Sequence, residues 1–448
     1  MKDYTKGPIL KALITLSLPI IFANIFSTVY QLTDTFWVGR LGEKAVAAVS
    51  LTFPISFFVG SLTIGLASAG SILIAQFKGK KDQKSIDYTS AQTLSLLFIA
   101  ATCVAVFGYL LSKTFIGLMS PDPSVAIEAT KYLQITFLGF SFFALFFGYQ
   151  SVMRGVGEVK MPMYIIIFTV FLNFILDPLF ILGWGPIPAF GVSGAAVATI
   201  GTESLASLMG LYILFKGHKG IKIKLKQLKP DFKELKLLAK IGFPTSIEMS
   251  ARSFSMVIMT FLAAVFGTTA IASYGMGGRI LSFVIIPALG IAFGTATLVG
   301  QNIGADKFDR ALKTTYTAFK VGFFFLLSIG ILTFLFAEPI VAAFVPGETV
   351  LIKESAKFLK IMAFGFPFIG LHMGLIGLFR GSGNTRLAME ITIIFATIMV
   401  GSAYVLSTFT SLGVDGIYWA YPIANVIGTA IGFAYFFKSK WREKRIIS

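Results

Sequence analysis

Charge is scarce in this chain. Only 13% of its 448 residues are Asp, Glu, Lys or Arg, while 56% are hydrophobic. An ordinary soluble domain carries about a quarter charged residues. A surface so poor in charge cannot face water, which excludes a soluble enzyme, a nucleic-acid module and a disordered polymer, and leaves a bilayer as the solvent. Cysteine is rarer still: Cys103 stands alone, so no disulfide framework or thiolate metal site can be built. Motifs for chemistry are missing too. Gly79-Lys80 is followed by Lys81 and lacks the upstream glycine of a phosphate-binding loop, and there is no His-Glu-x-x-His and no nucleophile elbow. An enzyme is therefore not expected, nor an organic cofactor. Any uphill work must draw on an ion gradient, with H⁺ or Na⁺ as the coupling ion.

What the chain has in abundance is long apolar runs. A membrane-spanning helix needs ~20 apolar residues. Uncharged runs of that size cover 12–33, 45–77, 88–112, 132–153, 253–278, 280–305, 391–414 and 416–437, and residues 361–379 fall one short. Residues 161–202 make two further spans around the turn Gly183-Trp184-Gly185-Pro186-Ile187-Pro188, with 204–215 completing the second, and 321–337 supplies one more. The expected fold is an all-α polytopic membrane protein of twelve spans. The runs are continuous rather than alternating, so a β-barrel is excluded.

The net charge of +17 looks at first like a footprint for nucleic acid. Its placement says otherwise. With the N-terminus inside, 28 of the 38 Lys and Arg fall in inner segments and 6 in outer loops. That asymmetry is the positive-inside pattern, and it predicts both termini in the cytoplasm of a multi-pass protein of the plasma (inner) membrane. The start, Met1-Lys2-Asp3-Tyr4-Thr5-Lys6, has no small-residue cleavage pattern after it and reads as leading into a retained first helix.

The chain also matches itself. At an offset of 225, Pro19 meets Pro244, Gly42 meets Gly267, Gly65 meets Gly290 and Gln76 meets Gln301. At 226, Arg154-Gly155 meets Arg380-Gly381, and at 222 Gly191-Val192 meets Gly413-Val414. A six-span unit has been duplicated. An even number of spans per unit makes the repeats parallel, about a pseudo-two-fold axis along the membrane normal. The expected division is an N-terminal six-helix lobe (1–215), a basic linker (216–235) and a C-terminal six-helix lobe (236–448).

A carboxylate at the bilayer centre costs at least ~2.5–3.5 kcal/mol, so each acid inside a span is a functional candidate. Asp34, Asp177, Glu203, Glu248 and Glu390 qualify. Counting back from the outer ends of their spans puts Asp34 ~8 Å, Asp177 ~9 Å and Thr199 ~13 Å below the outer surface, in one layer. Asn173 lies four residues before Asp177 and Tyr30 four before Asp34, so each pair shares a helix face. Pro178 cannot donate to the carbonyl of Phe174, which frees a backbone oxygen. These oxygens make a hard pocket for a shared proton or a small cation. The repeat mates of Asp34 and Asp177 are Met259 and the neighbourhood of Ala403, neither acidic, so the N-terminal half is the candidate for ion coupling. Glu248 is either a second cation or substrate site or the partner of Arg252 one turn on. Glu390 reads as structural, His372 as a satisfied core group, and His218 as a linker residue without a partner.

The string Tyr30-Gln31-Leu32-Thr33-Asp34-Thr35-Phe36-Trp37-Val38-Gly39-Arg40 resembles multidrug and toxic compound extrusion (MATE) transporters. So do Ala75-Gln76-Phe77-Lys78-Gly79, Arg154-Gly155-Val156-Gly157, Asn173-Phe174-Ile175-Leu176-Asp177-Pro178 and Gly191-Val192-Ser193-Gly194. Paired aspartates on the first and fifth spans, with Asn173, are similar to the DinF-like branch. The resemblance implies a V-shaped 6+6 transporter that exchanges drug-like, often cationic or amphiphilic compounds for H⁺ or Na⁺. It implies Asp34 and Asp177 as coupling acids, Asn173 and Thr199 as co-ligands (of Na⁺, if that is the ion), and Tyr30 and Tyr132 beside the site. Another branch pairs a glutamate on the seventh span with an aspartate on the tenth. Glu248 fits the first, but Gly370-Leu371-His372-Met373-Gly374-Leu375 offers no acid. Expected partners are small organic molecules and membrane lipids, with no nucleic acid and a single copy sufficient. The alternative, a lipid-linked oligosaccharide flippase of a related fold, would need a groove rich in cationic side chains, and the spans offer only Arg252 and Arg279.

Overall fold

The computed structural model describes residues 3–119, 122–217, 220–439, 441 and 446; His218, assigned above to the linker, lies outside them. Fourteen α-helices follow in order among the described residues: α1 (Ile9–Gly39), α2 (Glu43–Lys80), α3 (Gln83–Met119), α4 (Pro123–Gly155), α5 (Lys160–Leu182), α6 (Val192–Lys216), α7 (Phe232–Ala264), α8 (Thr268–Gly304), α9 (Phe308–Leu335), α10 (Ala337–Phe344), α11 (Thr349–Ala363), α12 (Phe366–Gly381), α13 (Thr385–Phe409) and α14 (Val414–Lys438). Eleven of them are long and apolar enough to cross a membrane singly. The twelfth span is the pair α11 and α12, bent by 51° at the break between them. Side chains such as Leu118, Leu110, Phe107 and Phe171 point outward, each more than 60% exposed. Apolar exposure on that scale is stable only against lipid.

The described residues form two compact units. One contains Phe22–Ser246, the other Asp3–Ile21 with Ile247–Ser448. The division therefore falls inside α1 and inside α7, where the sequence places each of these helices whole within its own lobe. Side-chain anchors account for it. In the second unit, Lys307 Nζ donates to Thr5 O at 2.9 Å and Arg310 Nη2 to Gly7 O at 2.8 Å, pinning the start of α1 to the start of α9. Further along, Gly290 and Gly294 of α8 lie so close to Ile21 and Ser17 that a Cβ would collide with them. In the first unit, Ser246 of α7 donates to Leu62 O at 2.8 Å, and Gly65 of α2 leaves no room for a Cβ against Ser246. Gly65 and Gly290 are repeat mates, and so are Ile21 and Ser246.

The basic linker is docked rather than free. It makes a 3-10 turn at Leu225–Leu228. Gln92 Nε2 of α3 donates to Gln227 O and Lys229 O at 2.6 and 2.8 Å, and Ser95 Oγ to Leu228 O at 2.8 Å. The Tyr88 hydroxyl donates to Asp231 at 2.6 Å and holds that carboxyl below its usual range.

The core of the first unit is built around Tyr149, Leu94 and Ile74, and that of the second around Phe358, Phe366 and Tyr418, all fully buried. Helices α9 and α12 touch through glycine: a Cβ on Gly322 would lie 2.8 Å from Gly370 O. Overpacking of that kind costs ~1–3 kcal/mol. G322V should lower the thermal midpoint of the detergent-solubilised protein, while G275A on α8, where nothing lies within 4 Å of the added carbon, should leave it unchanged.

Candidate functional site

Three helices of the first unit converge on the acids. Helix α5 ends at Gly183 (φ +79°), and the chain turns back through Gly191 (φ +59°) into α6. Phe190 N and Gly191 N donate to Phe180 O and Ile181 O at 3.0 and 3.1 Å, and Gly194 sits hard against the Phe180 carbonyl. This tight return fixes the register of α6 on α5 and brings Thr199 to the level of Asp177.

The Thr199 hydroxyl donates to Asp34 Oδ2 at 3.2 Å. Asn173 Nδ2 donates to Asp177 Oδ1 at 2.9 Å, across the single turn that separates them. The carboxyl groups of Asp34 and Asp177, on α1 and α5, are within hydrogen-bonding reach of each other. Asn173 and Asp177 are fully buried. Tyr30 lies one turn before Asp34, and its hydroxyl pairs with the Thr202 hydroxyl at 2.6 Å. Thr202 is a contributor the sequence reading did not single out: a threonine in an apolar helix carries no signal until its partner is known.

Asp34 Oδ1, Asp177 Oδ2 and Asn173 Oδ1 are all buried and receive no hydrogen from any protein group. Two carboxylates side by side in a medium that screens poorly do not both carry bare charge. The arrangement fits one proton shared between the acids, or a small hard cation held by carboxylate, amide and hydroxyl oxygens. A cavity of about 190 Å³ adjoins it, lined by Tyr132, Thr136, Thr199 and Glu203 among others. Tyr132 thus faces this cavity, and Glu203 supplies the one carboxylate in its lining, with Thr199 linking it to Asp34.

The second unit is arranged differently. Glu248 of α7, read as a second site or as the partner of Arg252, does pair with Arg252, and it is bound more closely by Arg380 of α12, with Nη2 at 2.8 Å from Oε1 and Nε at 3.2 Å from Oε2. Arg252 Nη2 stands further off, at 3.9 Å. A carboxylate gripped this way by a guanidinium already has its charge compensated. Glu390 pairs with Arg386 at 2.8 Å, as a structural residue would. The reading of His372 as a satisfied core group is corrected: the side chain is buried, but neither ring nitrogen has a hydrogen-bond partner. Helix α12 packs it beside the Phe395 ring, which has no acceptor to offer.

A family model described as MatE matches residues 19–179 and again 244–405. The two matches are 225 residues apart, the offset of the internal repeat. The chain is 30% identical to a probable multidrug resistance protein, YoeA, of Bacillus subtilis over 96% of its own length and 93% of that protein's. It superimposes on a crystal structure of a MATE protein in complex with MaL6 with a TM-score of 0.91, at 26% identity, covering 99% of this chain and 98% of that one. A MOP superfamily transporter from Pyrococcus furiosus gives a TM-score of 0.92 at 25% identity, with 99% and 98% covered.

Proposed function

The chain belongs to the MatE family of multi-pass membrane transporters, and from that premise we propose that it is an antiporter that exports drug-like organic compounds, often cationic or amphiphilic, in exchange for H⁺ or Na⁺. The observation that carries the reading is the meeting of Asp34 and Asp177 with buried oxygens left undonated. Such a pair binds a proton or Na⁺ strongly and holds an organic cation poorly while occupied. Loading from outside therefore displaces cargo, and release inside readies the site for the next molecule. An ion drives this cycle only if its binding free energy differs between the outward- and inward-open states. The cavity beside Thr199, with Tyr132 and Glu203 in its wall, is where the cargo would compete. The protein works as a single copy in the plasma membrane with both termini in the cytoplasm, the orientation that its lysine and arginine distribution favours.

Reconstitution into proteoliposomes tests the reading. Ethidium should move against an imposed H⁺ or Na⁺ gradient and stop when that gradient is collapsed. Because the proton and Na⁺ would occupy the same oxygens, lowering the pH should reduce any Na⁺-driven component. Movement of ethidium that ignores both gradients would overturn the exchange.

A further inference from the structure

The second unit holds a buried charge imbalance. Two guanidinium groups, Arg252 and Arg380, gather on one carboxylate, Glu248, at 3.9 and 2.8 Å. Glu248 is fully buried and Arg380 nearly so, while the Arg252 side chain is 27% exposed with its Nε buried. The cluster thus carries one net positive charge. Arg380 also meets the Phe293 ring, 5.7 Å from its Cζ, and the Met249 sulfur, and neither bears a charge. An uncompensated charge in a low-dielectric interior is costly, and interiors normally supply a counter-charge.

Beside this cluster lies a cavity of about 80 Å³, enclosed by residues of the second unit alone, and no carboxylate lines it. Three of its lining side chains carry a buried polar atom with no partner: Arg252 Nε on α7, both ring nitrogens of His372 on α12, and Thr392 Oγ1 on α13. His372 is 4% exposed and Thr392 not at all. An N–H of guanidinium, an N–H of imidazole and a hydroxyl are the donors that an anion uses. Three helices therefore present unused donors to one space next to one excess positive charge.

We propose that this cavity is a binding site for a single negative charge, held by Arg252, His372 and Thr392. One monovalent anion neutralises the cluster, whereas a dianion would overshoot it. The volume admits a halide with a few waters, or the carboxylate end of a larger molecule. The charge thus comes either from a free inorganic anion or from a carboxylate on the cargo. The site is separate from the acids of the first unit and opposite in sign to them.

The direct test is anion-specific stabilisation of the purified wild-type protein at constant ionic strength. Sodium chloride and sodium formate should raise the thermal midpoint saturably by a few degrees, and sodium gluconate, too bulky to enter, should not. R252Q leaves a neutral Glu248–Arg380 pair and should still fold, but chloride binding should weaken by roughly tenfold or more. R252K should keep most of the response, and T392V should lose part of it. Equal effects of chloride and gluconate, or an R252Q response indistinguishable from wild type, overturn the proposal. Once chloride binding is seen, the source of the charge is read in cells lacking their own exporters, an assay that rests on the drug-export reading. Selective loss in R252Q of protection against a fluoroquinolone, which bears a carboxylate, with ethidium protection kept, assigns the anion to cargo. Equal protection against both assigns it to an inorganic ion. The thermal measurement needs no transport, so failure of export and failure of the site are told apart.

Discussion

D34N protein reaches the membrane folded and no longer drives drug export from an ion gradient. The expected loss is roughly 10–100-fold in gradient-driven ethidium transport, the size of a typical coupling free energy between two ligands. Asparagine keeps the volume and can still accept from the Thr199 hydroxyl. Its amide, however, donates permanently toward Asp177, imitating a pair that has its proton and never gives it up. D177N should behave alike, with the added feature that Asn173 then faces an amide rather than a carboxylate. Because the two acids act as one site, the double variant D34N/D177N should transport no worse than either single one. N173A and T199V each remove one hydrogen bond to a charged group and should cost only a few-fold. Ethidium transport in proteoliposomes measures all of these. Full gradient-driven transport by D34N at normal expression would contradict the coupling role.

The second large effect is on stability. E248Q strands the buried Arg380 guanidinium without a carboxylate, with the partly exposed Arg252 beside it, and breaking a buried pair in this way costs ~3–5 kcal/mol. The melting temperature of detergent-solubilised protein should fall sharply. R380Q should be milder, because Arg252 stands one turn along α7 and can close its 3.9 Å gap to Glu248. The double variant E248M/R380M, which fills the same space with apolar side chains, should recover much of what E248M alone loses. An unchanged melting temperature in E248Q would mean that the cluster is wetter than its burial indicates.

These two sites differ in how far the sequence discloses them. Asp34 and Asp177 announce themselves because a carboxylate in a run of Leu, Ile and Phe has few structural uses, and helical rise alone predicts their common depth. The tight turn from α5 to α6 is equally visible in its glycines and prolines. Arg380 is not. It sits 132 residues from Glu248 in the chain, next to a glycine at the end of an apolar run, so it counts among the inner-face basic residues until the fold buries it. Helix α11 is hidden for a related reason. Lys353, Glu354, Lys357 and Lys360 break its apolar run, so residue counting begins only at 361. In the fold Lys360 reaches Glu338 and Lys357 reaches Asp415, while Phe358 and Leu359 on the other face are fully buried. An amphipathic helix bent into an apolar one makes a span that a hydropathy count sees only in part. His372 shows the converse error: a histidine in an apolar segment is usually satisfied, and only the fold reveals two nitrogens with nothing to bond.

Because the compact units divide at Ile21 and Ser246 rather than at the linker, a cut through the linker yields two fragments, neither of which holds all of its own unit. Biogenesis inherits the same constraint. The segment Asp3–Ile21 leaves the ribosome well before the helices it packs on, α8 and α9, which are translated more than two hundred residues later. The first turns of α1 must wait in the insertion machinery or in lipid until the second half arrives to receive them.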